Sequence, residues 1–382
     1  MRRKGRFILA AGLVFLAQAA QADWTATKRL TWTASYSYFP AIAMDSSYFL
    51  HLIWTDFTPG NWAIFYKKST NGGTAWTANK RITWGTTGAG QPDIAVDKSD
   101  NIQVVYVDHV SGPFQVYHKR STDGGGHWSA AQRVTWTTGA ALLPSLAVDS
   151  SSVLHLVWQD DASGNAEIYY KQSNDEGQTW TLPKRLTWNS LDSSSPSLAV
   201  DSSDNLHLVW SDNSPGSIEI YYKKSTDGGI SWTANKRITW MSMIQLGPKI
   251  AVDSSDNPHV VWHDALPGSG DIYYKRSEDE GATWEASQKL SGSGKAFGEM
   301  SIGIALAGQI YVVWNDSLPG QNELYYKKST NGGVHWSLGQ RLTYGSVDAK
   351  SPAFAIDSLG DLNLVWSDSK PGIYEIYFKK GN

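Results

Sequence analysis

The sequence contains no cysteine, which excludes disulfides, thiolate metal sites and cysteine nucleophiles and leaves stability to burial and hydrogen bonding. It also lacks a charge imbalance. The 33 Lys and Arg stand against 36 Asp and Glu, so no long-range field gathers polyanions and nucleic acid is not an expected partner. Long apolar runs are absent as well: Phe7 to Ala17 falls short of the roughly 20 residues that span a bilayer, so membrane insertion is not expected. That run follows Met1-Arg2-Arg3-Lys4-Gly5-Arg6 and precedes the small residues of Ala20-Gln21-Ala22. Residues 1–22 therefore read as an export signal cleaved near Ala22, which delivers a chain from Asp23 onward to the periplasm or the exterior. No linker-like stretch and no sustained helical period interrupts the rest. One all-β domain over residues 23–382, monomeric and without a cofactor, is expected.

What is present is repetition. At a shift of 52 residues, Trp54-Thr55-Asp56 aligns with Tyr106-Val107-Asp108, Trp158-Gln159-Asp160, Trp210-Ser211-Asp212, Trp262-His263-Asp264, Trp314-Asn315-Asp316 and Trp366-Ser367-Asp368. Within one copy, Pro196 to Asp201 and Leu206 to Trp210 read as strands joined across a Ser-Ser-Asp-Asn turn. Glu219 to Lys224 and Lys236 to Trp240 supply a third and a fourth. Seven four-stranded antiparallel meanders of this length predict a seven-bladed β-propeller, whose radial repetition protects its sheet edges. The seventh copy stops at Asn382 before its fourth strand, while Trp24 to Trp32 supply one in register with Trp76 to Trp84. Blade 7 is therefore expected to combine both chain ends. The 19 tryptophans fall into three columns, apart from Trp62, and packing within and between blades is their simplest role.

The motif Ser-x-Asp-x-Gly-x-x-Trp occurs at Ser121–Trp128, Ser173–Trp180, Ser225–Trp232 and Ser277–Trp284, with Asn71 and Asn331 replacing Asp in the copies from Ser69 and Ser329. The acidic or amide side chain can accept backbone N–H bonds within the turn, and glycine permits positive φ. On these residues the chain resembles the Asp-box, or bacterial neuraminidase repeat, propellers of the sialidase-like superfamily. The resemblance spans the mature chain and implies a fold more than a chemistry. It implies boxes between third and fourth strands, on the face away from a binding site. A sialidase of this family would carry three carboxylate-binding arginines, a Tyr–Glu nucleophile pair and an Asp acid. No arginine triad is evident here, because Arg29, Arg81, Arg133, Arg185, Arg237 and Arg341 repeat in one column. Seven blades also depart from the sialidase number of six, so sialidase activity is not expected.

Function is therefore sought on the opposite face, where binding loops sit on a rigid scaffold. One candidate there is the carboxylate ring Asp56, Asp108, Asp160, Asp212, Asp264, Asp316 and Asp368, followed across the hairpin by Glu167, Glu219, Asp271, Glu323 and Glu375. Such acids can bind sugar hydroxyls or Ca²⁺, or act as acid and base; they can equally cap their own Pro-Gly turns, and every blade needs that turn. Another is the aromatic run Trp32, Trp84, Trp136, Trp188, Trp240 and Tyr344, a possible series of sugar-stacking shelves. Trp84 is in phase with Ile82, which leaves an inward orientation open. Departures from the repeat at Asp93, Lys249 and Glu299 are the candidates for one catalytic site, with blade drift as the alternative. His51, His155, His207 and His259 are too dispersed for a metal site and are expected to hydrogen-bond between blades. Equivalent sites in a ring favour a non-catalytic, multivalent binder of glycan or another extracellular polymer. A glycoside hydrolase or lyase and a protein-interaction scaffold remain alternatives.

Overall fold

The computed structural model describes residues 24–381 apart from Thr86, Ser111, Ser242, Met243, Pro267, Gly268, Ser293 and Pro319; the segment 1–22 read as an export signal lies outside these residues. The chain forms seven four-stranded antiparallel sheets arranged as a propeller. Blade 4 is typical: Ser193–Val200, Leu206–Asp212, Glu219–Ser225 and Lys236–Arg237. First strands of neighbouring blades contact one another and line the axis, while fourth strands form the rim. Each second strand is almost wholly buried, as the Leu-His-Leu-Val-Trp pattern requires of a strand covered on both faces. The apolar cores lie between blades; Val157, Ile168 and Tyr170 of blade 3, for instance, pack on Leu206, Leu208 and Trp210 of blade 4.

Closure joins the chain ends. Lys28 and Arg29 pair with Phe378 and Tyr377, the Thr25 amide donates to the Lys380 carbonyl at 2.8 Å, and the Leu30 amide donates to the Ile376 carbonyl at 2.7 Å. The Asp boxes make the turns they imply. In blade 4, Ser225 Oγ accepts from the Gly229 amide at 2.9 Å and Asp227 Oδ1 from the Ser231 amide at 2.8 Å. The box tryptophans pack edge-on against the preceding blade, Trp232 on Tyr170 at 5.4 Å and Trp24 on Tyr326 at 5.3 Å. Gly229 has φ +86°, and a Cβ there would lie 2.1 Å from the Tyr170 hydroxyl. Gly229→Ala is thus expected to destabilise the fold by about 2–4 kcal/mol, through strain and a forced separation of two blades. Gly228→Asn, at φ +66° with open space around it, should cost little, and urea unfolding of the two variants checks the contrast.

Two details differ from the sequence expectation. The fourth strands are only two residues long rather than five. The cause is a threonine: Thr239 Oγ1 accepts the Ile220 amide at 2.9 Å, so a side chain replaces the backbone partner and the chain leaves the ladder. Thr83, Thr135, Thr187, Thr343, Thr31 and Ser291 do the same in the other blades. The first strands also contain a register shift, with positive φ at Phe39, Gln91, Leu143, Ser195 and Ser351. The bulge bends each of these strands locally.

Candidate functional site

The face opposite the Asp boxes carries the loops between second and third strands and the connections between blades. The seven second-strand aspartates stand there but turn into the blades, at 0–4 % exposure. Asp56 Oδ2 accepts from Trp54 Nε1 and Ser37 Oγ, both at 2.9 Å, and Oδ1 accepts from the Thr58 amide at 2.7 Å. Asp160 and Asp212 accept the corresponding tryptophan and turn donors, and Asp316 and Asp108 likewise accept N–H groups of their own loops. This geometry is the turn-capping alternative, because these oxygens already serve as acceptors for their own blade. Asp264 accepts from Gln245 and Asp368 caps the Lys370 amide; burial raises the pKa of both.

The facing glutamates are equally buried. Glu167 and Glu375 accept from Arg185 at 2.6 Å and from Arg29 at 2.7 Å, and Glu219 and Glu323 bind Arg237 and Arg341. The repeated arginine column is therefore engaged at the rim by its own blades and does not converge on the axis. Five of the six guanidiniums of that column also lie under an aromatic ring: Arg29, Arg133, Arg185, Arg237 and Arg341 sit 4.2–5.9 Å from the centroids of Trp32, Trp136, Trp188, Trp240 and Tyr344.

Those rings point outward. Trp32, Trp84, Trp136, Trp188, Trp240 and Tyr344 are 67–76 % exposed, whereas the second-strand tryptophans are buried. The phase of Trp84 with Ile82 does not turn it inward: Ile82 is buried, but the strand has ended at Arg81, so strict alternation no longer applies. Gly292 occupies the seventh position, at the end of blade 5. The result is a rim of six flat apolar surfaces, each held by a buried threonine anchor and five of them backed by an arginine.

Asp93, Lys249 and Glu299 all lie on first strands. Asp93, on blade 2, and Lys249, on blade 5, sense each other's charge across the axis. Burial raises the Asp93 carboxyl, although the Leu146 and Ile94 amides and Lys249 oppose it, and burial lowers the Lys249 amine. Glu299 does not join them. Its carboxylate accepts the Ser351 amide at 2.6 Å and stands beside Lys350 and Asp348, with burial raising its pKa. The three are therefore divided between two places. A group of residues missed by the sequence reading surrounds the second place: Tyr36, Tyr38, Trp62 and Tyr374 form one aromatic chain. The available signal was Trp62, the one tryptophan outside the repeat columns.

The histidine column corrects an expectation. His51 Nδ1 meets the Tyr66 hydroxyl at 2.8 Å and Nε2 meets Asp45 at 3.0 Å, both within blade 1, and the tyrosine makes the link to the next blade by donating to the Gly124 carbonyl at 3.1 Å. Burial holds His51, His155 and His207 below the ordinary histidine range despite their aspartate partners. It pushes His118, which faces Gln103, down to about 3. A histidine lowered in the folded state protonates first in the unfolded chain. The stability it contributes is present above the unfolded value near 6.5 and is lost as pH falls below it. The melting temperature should therefore change little between about pH 7 and pH 8 and drop by pH 5. His118→Tyr, which installs the residue that blades 1 and 3 carry at that position, should shallow the drop in calorimetric scans across that range.

No curated protein sequence matches this chain significantly. Solved structures do match in fold. An ulvan lyase bound to -[GlcA(1-4)Rha3S]- aligns at TM-score 0.66 and 11 % identity, over 92 % of this chain and 95 % of its own. A protein of unknown function from Dyadobacter fermentans aligns at TM-score 0.63 and 12 % identity, over 95 % of this chain and 100 % of its own. The NanB sialidase from Streptococcus pneumoniae aligns at 0.51 and 14 %, over 91 % and 68 %. These identities speak for the fold alone. The family model for the BNR repeat-like domain matches residues 13–212. With that match, the boxes and the seven closed blades, the chain belongs to the BNR repeat-like domain family and folds as a β-propeller.

Proposed function

We propose that the protein is an exported, non-catalytic binder of glycan chains, which it holds by repeated weak contacts along its rim. The observation that carries this reading is the set of six exposed aromatic rings at equivalent positions, in a fold whose other tryptophan columns are packed against their neighbours. A flat indole matches the C–H face of a sugar ring, and a ring already seated on a guanidinium loses little freedom when it binds. Repetition then converts modest single-site affinity into avidity for a polymer. Solved neighbours named as a sialidase and an ulvan lyase support a carbohydrate as the ligand class.

The hydrolase or lyase reading has less support. The candidate acids Asp93 and Glu299 belong to blades 2 and 6 and have separate partners. A broad glycan array probed with residues 23–382 tests the proposal. Selective capture of one sugar class, weakened about 3- to 10-fold by Trp188→Ala, is expected; a blank array would remove the reading.

A further inference from the structure

Where blade 7 meets blade 1, the connection face departs from the repeat. The loop into blade 1 ends in Tyr36, and its first strand carries Tyr38 and Phe39; blade 2 has Gly88, Gly90 and Gln91 at these places, and blade 4 has Asp192, Ser194 and Ser195. Tyr38 is the hub. Its ring lies 4.5 Å from Tyr374, 5.9 Å from Trp62, 6.0 Å from Phe39 and 5.9 Å from Tyr36, on which it stacks at 13°. Burial, with the neighbouring Tyr374, pushes the Tyr38 hydroxyl up to about 12, so it stays a neutral donor. Tyr36 and Phe39 are 45 % and 46 % exposed. The bulge at Phe39 is common to other blades, but the large apolar side chain placed on it toward solvent in blade 1 contributes little to folding.

Polar groups border this platform. Asp348 accepts from the Tyr374 hydroxyl, from Asn322 and from Lys350 Nζ at 2.6 Å. Lys350 also lies 5.3 Å from the Tyr374 ring centroid, and Glu299 stands close enough to sense both charges. The lysine is thus matched by Asp348, with the further acid Glu299 nearby, and the platform's border offers no surplus positive charge for a carboxylated or sulfated ligand. An ammonium–carboxylate pair instead presents a donor and an acceptor side by side, which suits vicinal hydroxyls.

We propose that the seam of blades 7 and 1 is a single binding cleft for one neutral pyranose unit, its C–H face on Tyr36 and Phe39 and its hydroxyls on Lys350 and Asp348. The cleft shares the ligand class of the rim reading and rests on it to that extent, but it uses none of the rim residues. This aromatic platform is therefore asymmetric, one per chain.

The test is titration calorimetry of residues 23–382 with gluco-, manno-, xylo- and galacto-configured neutral hexasaccharides and with hexagalacturonate. Two variants are compared: a seam variant, Tyr36→Ser with Phe39→Asn, and a rim variant with Ala at all six rim positions. Asn tolerates positive φ better than Phe, so the seam variant should melt like the parent. The expected result is one neutral-sugar site per chain that persists in the rim variant, weakens at least about 10-fold in the seam variant, and prefers the neutral probes to hexagalacturonate by a similar factor. An unchanged titration in the seam variant would overturn the cleft and leave the rim reading standing. Loss of every site in the rim variant would do the same. Tighter binding of hexagalacturonate, or no neutral hexasaccharide binding to the parent, would also overturn it.

Discussion

A chain beginning at Thr33 should melt more than about 10 °C below one beginning at Asp23. The deleted segment supplies the outer strand of blade 7, and each of its groups has a partner. Leu30 is buried against Ile376 and Phe378, and losing a core leucine costs about 3 kcal/mol. Trp24 is removed from the edge of Tyr326, a contact worth about 1 kcal/mol beyond its burial. Glu375, fully buried, loses Arg29, the Thr31 hydroxyl and the Thr33 amide's normal position; a buried charge stripped of its partner costs about 3–5 kcal/mol. At roughly 2 °C per kcal/mol for a chain of this size, these losses exceed 10 °C. The exposed edge of blade 7 should also promote self-association. Differential scanning calorimetry checks the shift, and an unchanged melting temperature would mean that closure does not depend on this strand.

The second large effect concerns the rim. Replacing Trp32, Trp84, Trp136, Trp188, Trp240 and Tyr344 together by Ala should raise the apparent Kd for an immobilised polysaccharide by at least about 100-fold, because avidity multiplies single-site affinities. Any one substitution should cost only a few-fold. The melting temperature should change little in a single variant and fall by several degrees at most in the sixfold one, since each exposed ring on its guanidinium contributes only about 0.5 kcal/mol and the arginines beneath keep their glutamate and carbonyl partners. A sixfold variant that binds as the parent does would place the contact elsewhere, with the seam cleft as the first alternative.

Architecture was legible because it is written in period. The repeat of Trp-x-Asp, the boxes and the missing last strand each specify blade number, turn position and closure without reference to side-chain detail. The site was legible only in part. The orientation of Trp84 depends on one hydroxyl, Thr83 Oγ1, taking the amide of Ile64 at 2.9 Å, and a period-two reading of the strand has no means of seeing that exchange. The acid columns are conspicuous in sequence, yet their place inside the blades follows from donors on a neighbouring strand, such as Ser37 for Asp56 and Arg185 for Glu167. The seam cluster is assembled from blades 6, 7 and 1, so residues far apart in the chain become neighbours only through ring closure. Trp62 announced it by standing outside every column.

Retention of a glycan chain and the absence of cleavage can be followed in one measurement. The protein is incubated with the polysaccharide that it captures best, and bound protein is followed alongside the appearance of new reducing ends and of unsaturated products absorbing near the ultraviolet. Saturable binding, weakened at least about 100-fold in the sixfold rim variant, is expected, with a polymer whose chain length is unchanged throughout. Steady release of shorter chains, abolished by Asp93→Asn or Glu299→Gln and indifferent to the rim, would contradict it.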